Sequence, residues 1–82
     1  MTDINLTDLI TLFNKEYGTD VTGRVKNLRL EVNELEEAYK EDLEKGVYNH
    51  FEDEIMDVYS VLIHLMSIMG ITPQEAINSV YD

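Results

Sequence analysis

Two pairs of acidic residues on predicted helices are the strongest candidates for chemistry in this chain. Glu31 and Glu34 form one pair, and Glu54 and Asp57 form the other. Residues three positions apart lie on the same side of a helix, so each pair presents two carboxylates in one direction. Two antiparallel helices would bring these pairs together as four hard oxygen ligands, a set that suits Mg²⁺ or Mn²⁺.

The simplest alternative is that these acids belong to a solvated surface, but their position beside apolar stripes argues against it. Glu31 and Glu34 flank the apolar stripe of the second predicted helix, and Glu54 lies at the edge of the apolar arc of the third. None of the six Lys and Arg residues stands three or four positions from Glu31 or Glu54. A carboxylate beside a core is costly unless it is paired or binds a metal. The placement therefore favours a bound cation.

Other catalytic patterns fit this sequence less well. A di-iron bundle requires Glu-x-x-His pairs, but the residues three before His50 and His64 are Val47 and Val61. His50 and Glu54 could bind zinc together, although a lone His beside acids is more often a hydrogen-bonding residue. His64 is interpreted as structural. The sequence contains no Gly-rich phosphate loop, nucleophile elbow or EF-hand pattern.

Composition limits the classes of protein to which this chain can belong. The 82 residues suffice for a single domain, residues 1–82. The formal charge of −11 would repel nucleic-acid phosphates and anionic membranes, so we expect neither direct nucleic-acid binding nor membrane association. The longest uncharged stretch, 58–74, is shorter than the roughly 20 residues of a spanning helix. Zero Cys and no amino-terminal targeting pattern favour a cytoplasmic protein.

Apolar residues recur at helical spacing throughout the chain and predict an all-α fold of four helices, packed as a helical bundle. Residues typical of N-caps precede the predicted helices, and glycines follow them. The predicted helices begin after Asn5, at about residue 24, at Asn49 as N-cap, and after Thr72 with Pro73 first. They end before Gly18, Gly46 and Gly70 and near Val80. A loop over 18–23 separates the first two.

The apolar stripes of the three longer helices define the predicted core. On the first helix the stripe consists of Leu6, Leu9, Ile10, Phe13 and Tyr17. On the second it consists of Val25, Leu28, Val32, Leu35, Tyr39 and Leu43. On the third it consists of Phe51, Ile55, Leu62, Leu65 and Met69.

The carboxyl-terminal half of the third helix is apolar around most of its circumference. A chain of four short helices cannot cover such a helix on every side. We therefore expect a homodimer or homotetramer whose shared core includes some of Val61, Ile63, Ile68 and Met69.

Three segments together resemble a known family. They are 30–38 (LEVNELEEA), 53–58 (DEIMDV) and, after an apolar helix, 70–72 (GIT). In this order they resemble the MazG-like branch of the all-α nucleoside triphosphate pyrophosphatase superfamily, over about residues 24–80. The resemblance implies an oligomeric helical fold and Mg²⁺-dependent hydrolysis of a nucleoside triphosphate to a monophosphate and pyrophosphate, with a role in house-cleaning or in the nucleotide pool.

The resemblance also implies roles for individual residues. Glu31, Glu34, Glu54 and Asp57 correspond to the metal ligands and catalytic carboxylates. Family members usually carry a Lys or Arg and an Asn or Asp after the second acidic pair, whereas this chain has no Lys or Arg beyond residue 45.

Arg24 lies on the same side of its helix as the first acidic pair, so by position it is the best substitute for the missing phosphate-binding cation. Asn78 is the candidate for the late Asn, with Asp82 nearby. A neighbouring subunit could also contribute a cation.

A second hypothesis comes from the charge of −11 and the missing late cation. The chain could be an acidic helical binding or regulatory protein, such as a nucleic-acid mimic or a partner-binding module, that has kept the fold without the activity. The sequence does not select a preferred base or sugar, or a dimer over a tetramer.

Overall fold

A computed structural model describes residues 5–81, and in this range the chain consists of α helices joined by short loops, without strands. The prediction of an all-α fold is confirmed for this part of the chain. The helices are α1 (Leu6–Tyr17), α2 (Val21–Lys45), α3 (Asn49–Met69) and α4 (Pro73–Tyr81).

Most helix ends follow from local capping chemistry. The side chain of Asn5 accepts a backbone N–H at 2.8 Å at the start of α1, and that of Thr72 does so at 3.1 Å before Pro73, the first residue of α4. Gly46 and Gly70 end α2 and α3 with φ values of 72° and 71°, a left-handed conformation that glycine adopts without steric cost. These predictions are confirmed.

The predicted loop over 18–23 is too long, because α2 begins at Val21 rather than at about residue 24. Asp20 is the N-cap, and its carboxylate accepts the N–H of Gly23 at 3.2 Å. The hydrogen bond that this cap supplies outweighs the poor helix propensity of Gly23, so the helix gains its first turn.

The predicted N-cap of α3 is also wrong. Asn49 is the first helical residue, and Tyr48 occupies the cap position without a side-chain hydrogen bond. Asp42, near the end of α2, instead accepts the N–H of Phe51 at 2.8 Å. A carboxylate from the preceding helix therefore caps α3 across the turn.

The main packing within the chain is α2 against α3, with α1 lying against α3. The side chains buried between them are not the predicted stripes. They are Arg24, Ala38 and Asp42 on α2 and Val61 and His64 on α3. Several members of the predicted stripes are exposed instead, namely Leu6, Tyr17, Val25, Val32, Tyr39, Leu43, Ile55, Leu62 and Met69. The remaining seven stripe residues are half-buried, so the predicted stripes form the core of the single chain only in part.

The single chain is less compact than expected for a domain of its length. Its Cα radius of gyration is 14.6 Å, compared with about 12 Å for a compact domain of this size. It exposes 6513 Å² to solvent, compared with about 5000 Å² for a compact monomer of this mass. Much of the difference is apolar side chain that the chain itself leaves uncovered.

An apolar groove of about 750 Å³ lies between α1, the carboxyl-terminal half of α3, and α4. Ile10, Ile63, Met66, Ile71 and Ile77 are among the residues that line it.

By length and composition none of the four described helices would span a membrane alone, and only α3 and α4 together, bent by 100°, meet that test.

Candidate metal centre

Polar side chains from α2 and α3 meet along the line where the two helices pack. Arg24, Glu31 and Ala38 recur at every seventh position of α2, which turns them toward α3. We call the polar members of this contact the polar seam. It consists of Arg24, Glu31 and Asp42 on α2 and Glu54, Asp57 and His64 on α3.

The middle of the polar seam is a cluster of three carboxylates. One oxygen from each of Glu31, Glu54 and Asp57 lies within 4.8 Å of the others. Oε2 of Glu31 and Oε2 of Glu54 are buried and have no hydrogen-bond donor among the described residues. Buried carboxylate oxygens without partners are costly, and a cation between them would remove that cost.

The pKa of Glu31 is affected by this crowding of carboxylates. Burial raises the pKa of its carboxyl above the ordinary value, and the negative charges of Glu34, Asp57 and Glu54 and a hydrogen bond to Glu34 raise it further. Of the four predicted ligands, the structure thus brings three together. Glu34 stands beside Glu31, at an exposed position outside the cluster of three.

The donor set of the cluster fits Mg²⁺ or Mn²⁺. All three groups offer carboxylate oxygens, the hard ligands that these ions prefer. His50 lies on the outer side, with Nε2 3.3 Å from Oε1 of Glu54 and Nδ1 3.7 Å from Oε2 of Glu41. The contact of His50 with one oxygen of Glu54 leaves the buried oxygen of that carboxylate for a cation.

One end of the polar seam holds a buried cation. Arg24 is 4% exposed, and its Nε–H donates to Nδ1 of His64 at 2.8 Å. An Nη1–H of Arg24 donates to Oδ1 of Asn27 at 3.2 Å, and the guanidinium lies 3.9 Å from the centroid of the Tyr17 ring. Within residues 5–81, no carboxylate oxygen lies within 4.0 Å of a nitrogen of this guanidinium.

His64 is fully buried and links Arg24 to α1. Because an Arg can only donate, Nδ1 of His64 must be the acceptor, and Nε2 carries the hydrogen that is donated to Oδ1 of Asn14 at 2.9 Å. Burial lowers the pKa of His64, and the neighbouring positive charge of Arg24 lowers it further. The imidazole is therefore held neutral in a single tautomer.

An open pocket of about 410 Å³ joins the cation to the carboxylates. Tyr17, Arg24 and Asn27 line it together with three carboxylates, those of Glu31, Glu34 and Asp57. Burial lowers the pKa of Arg24, while the charges of Tyr17 and Glu31 act in the opposite direction. The pocket thus places a cation for an anionic ligand beside two members of the carboxylate cluster, Glu31 and Asp57, while Glu54 lies outside its lining.

The remaining predicted site residue lies elsewhere. Asn78, on α4, accepts a hydrogen bond from Gln74 at 3.0 Å and does not line this pocket. The sequence interpretation missed Asn14, Asn27 and the link from His64 to Arg24. Asn27 follows Arg24 by three positions and was visible as a helical neighbour. The contact between Arg24 and His64 joins residues forty positions apart and has no local signal.

Comparisons of this chain with family models, with curated proteins and with solved structures found no match. The functional interpretation therefore depends on the geometry of the pocket and on the residues that line it.

Proposed function

We propose that this chain is a Mg²⁺-dependent nucleoside triphosphate pyrophosphohydrolase, similar to the MazG-like enzymes that its acidic motifs resemble. The observation that carries the proposal is the cluster of Glu31, Glu54 and Asp57, with two buried oxygens that lack a donor among residues 5–81. Beside this cluster, the buried cation Arg24 lines a pocket with Glu31 and Asp57 and has no carboxylate partner in the described part of the chain. A ligand that satisfies both features carries a metal ion and phosphate groups together.

Different residues of the chain would have different roles in such a reaction. Glu31, Glu54 and Asp57 would hold Mg²⁺, with Glu34 beside them, and Mn²⁺ would be a substitute. When bound, the ion neutralises charge on phosphate oxygens and lowers the pKa of a coordinated water. Arg24, which lines the same pocket as Glu31 and Asp57, would bind a phosphate oxygen and fix the orientation of the polyphosphate. Hydrolysis at the α-phosphorus then yields a nucleoside monophosphate and pyrophosphate.

We also propose that the protein acts as a homodimer or homotetramer. The excess exposed surface of the single chain, roughly 1500 Å² over a compact monomer, is comparable to what one subunit buries in an obligate dimer. Met69 is exposed and Ile63 lines the apolar groove, so both are available to a second copy. Val61 is buried within the chain and is not available, which removes it from the predicted interface.

The direct test is pyrophosphate release from a panel of canonical and modified nucleoside triphosphates with Mg²⁺ or Mn²⁺. We expect release from at least one of them, and Glu54→Gln should lower it by at least about 100-fold because a metal ligand is lost. Glu44→Gln, at an exposed position of α2, removes the same charge away from the cluster and should change the rate less than about twofold.

No release from any triphosphate at micromolar enzyme would refute the catalytic proposal. The acidic binding protein of the second hypothesis would then be the better description. Such a protein should bind a basic partner in a strongly salt-dependent way and be indifferent to Glu54→Gln.

A further inference from the structure

The Arg24 guanidinium is held on three sides before any ligand arrives. The Tyr17 ring covers one face at 3.9 Å, Asn27 accepts one N–H, and His64 accepts the Nε–H. The remaining N–H groups are available to a ligand in the pocket that Arg24 lines. An arginine that is already fixed loses little conformational entropy when it binds a phosphate, so it binds more tightly than a mobile one.

Of these three contacts within residues 5–81, His64 is the one whose side chain is also hydrogen-bonded to a third helix. Its Nδ1 accepts from Arg24 on α2, and its Nε2–H donates to Asn14 on α1. Because both ring nitrogens are engaged and the ring is fully buried, its orientation is fixed. A hydrocarbon side chain of similar volume could fill this space but could not accept the Nε–H of Arg24.

We propose that His64 is a positioning residue that holds Arg24 in the orientation that binds the phosphates of the metal-bound substrate. This inference rests on the function proposed above, and it adds the residue on which phosphate affinity depends. His64 does not line the pocket, so it acts through Arg24 and not by touching the substrate.

Two amide substitutions test whether His64 positions Arg24 or only fills the space between the helices. In His64→Asn the amide oxygen takes the place of Nδ1 and keeps the acceptor for Arg24. In His64→Gln the terminal amide takes the place of Nε2 and keeps the partner for Asn14 instead. Both variants bury a neutral amide at the same site, so they are matched controls for each other.

The probe is pyrophosphate titrated calorimetrically in the presence of Mg²⁺, with Mg²⁺ alone titrated in parallel. We expect His64→Gln to raise the Kd of pyrophosphate by about tenfold or more, the loss of one charge-assisted hydrogen bond, while His64→Asn stays within about threefold of the unsubstituted protein. Binding of Mg²⁺ alone should change in neither variant. In turnover, the same pattern should appear in KM and not in kcat.

Asn14→Ala provides a second variant that leaves the His64 side chain itself unchanged. Asn14 is exposed, and its loss removes the hydrogen bond from His64 to α1 while the contacts of the ring with Phe13 and Tyr17 remain. We expect the Kd of pyrophosphate to stay within about threefold of the unsubstituted protein, as in His64→Asn, with circular dichroism and Mg²⁺ binding unchanged.

The outcomes distinguish the two proposals. Failure of the unsubstituted protein to bind Mg²⁺ would refute the proposed function. Normal Mg²⁺ binding with equal pyrophosphate affinity in His64→Asn and His64→Gln would overturn the positioning role. Normal Mg²⁺ binding without any pyrophosphate binding would overturn it as well.

Discussion

The polar seam and the apolar groove lie on nearly opposite sides of the same helix, α3. Glu54, Asp57 and His64 project toward α2, while Ile63 and Met66 project into the groove beside α1 and α4. Polar side chains thus lie in the contact between α2 and α3, beside the buried Ala38 and Val61, and much of the face that the chain leaves open is apolar.

This distribution differs from that of an ordinary helical domain, in which the faces that pack inward are apolar stripes with few polar residues. Buried polar groups rarely add stability over apolar ones, so a protein that places them between its two longest helices retains them for another reason. An apolar face left open needs a cover. We infer that the polar seam serves binding and catalysis and that the groove serves assembly.

The largest effect is expected from a charged substitution in the apolar groove, which should weaken association between chains. Ile63→Glu places a charge where a second chain should pack, and a buried unpaired charge costs about 3–5 kcal/mol, which weakens association by at least about 100-fold. Sedimentation over a range of protein concentrations should show a smaller species, and pyrophosphate release should fall with it.

Leu12→Glu is the control for this prediction. Leu12 is exposed on α1 and lies outside the residues that line the groove. It should leave the assembly intact. An unsubstituted protein that remains a folded monomer at every concentration would show that the groove has another purpose.

The division between the two faces also shows what local sequence signals can predict. The caps at Asn5 and Thr72 and the glycines after α2 and α3 depend on neighbouring residues, so the four helices were predicted almost completely. The direction in which each helix faces depends on its neighbours in space. An apolar stripe indicates that a surface is buried, but it does not say whether the same chain or another copy covers it.

The candidate site was predicted where it depends on helical spacing and missed where it depends on distant contacts. Glu31, Glu54 and Asp57 were found because pairs three residues apart share a side and border apolar stripes. The cap that Asp42 provides to α3 and the clamp of His64 on Arg24 join different helices. No periodicity within one helix encodes such contacts.

A smaller effect is expected when one charge is removed from the cluster. Glu31→Gln removes the negative charge of this carboxyl, whose burial and repulsion by neighbouring carboxylates raise its pKa. The metal-free protein should therefore become more stable. A gain of about 1 kcal/mol would raise its melting temperature by roughly 4–8 °C. The further rise on adding millimolar Mg²⁺, expected in the unsubstituted protein, should disappear.

Glu36→Gln is the matched control, since Glu36 is exposed on the same helix. Glu36→Gln makes the net charge less negative by the same one unit, and it should leave both the melting temperature and the Mg²⁺ response nearly unchanged. If the two variants behave alike, the overall acidity of the chain, and not the cluster, is responsible.

The smallest predicted effect concerns pH and His64. Its folded-state pKa is lowered, so below about pH 6.5 the unfolded chain takes up a proton that the folded chain does not. This contribution to stability is complete above the ordinary pKa and is lost as the pH falls toward the lowered value. The slope for one proton cannot exceed about 1.4 kcal/mol per pH unit.

Urea unfolding at pH 7.5, 6.5 and 5.5 would measure this effect as the difference between the unsubstituted protein and His64→Gln. The difference cancels other groups, including Glu31, whose raised pKa acts in the opposite direction. Parallel pH profiles of the two proteins would mean that His64 titrates normally in the folded state.

Direct binding of Mn²⁺, followed by the loss of the free-ion signal in electron paramagnetic resonance, tests the metal centre most directly. We predict saturable binding at physiological salt that Glu54→Gln weakens by at least about tenfold and that Glu44→Gln leaves unchanged. A chain of charge −11 also attracts cations diffusely, but that attraction is screened by salt and insensitive to any one residue. Binding that vanishes in salt, or that falls equally in both variants, would contradict a metal centre between α2 and α3.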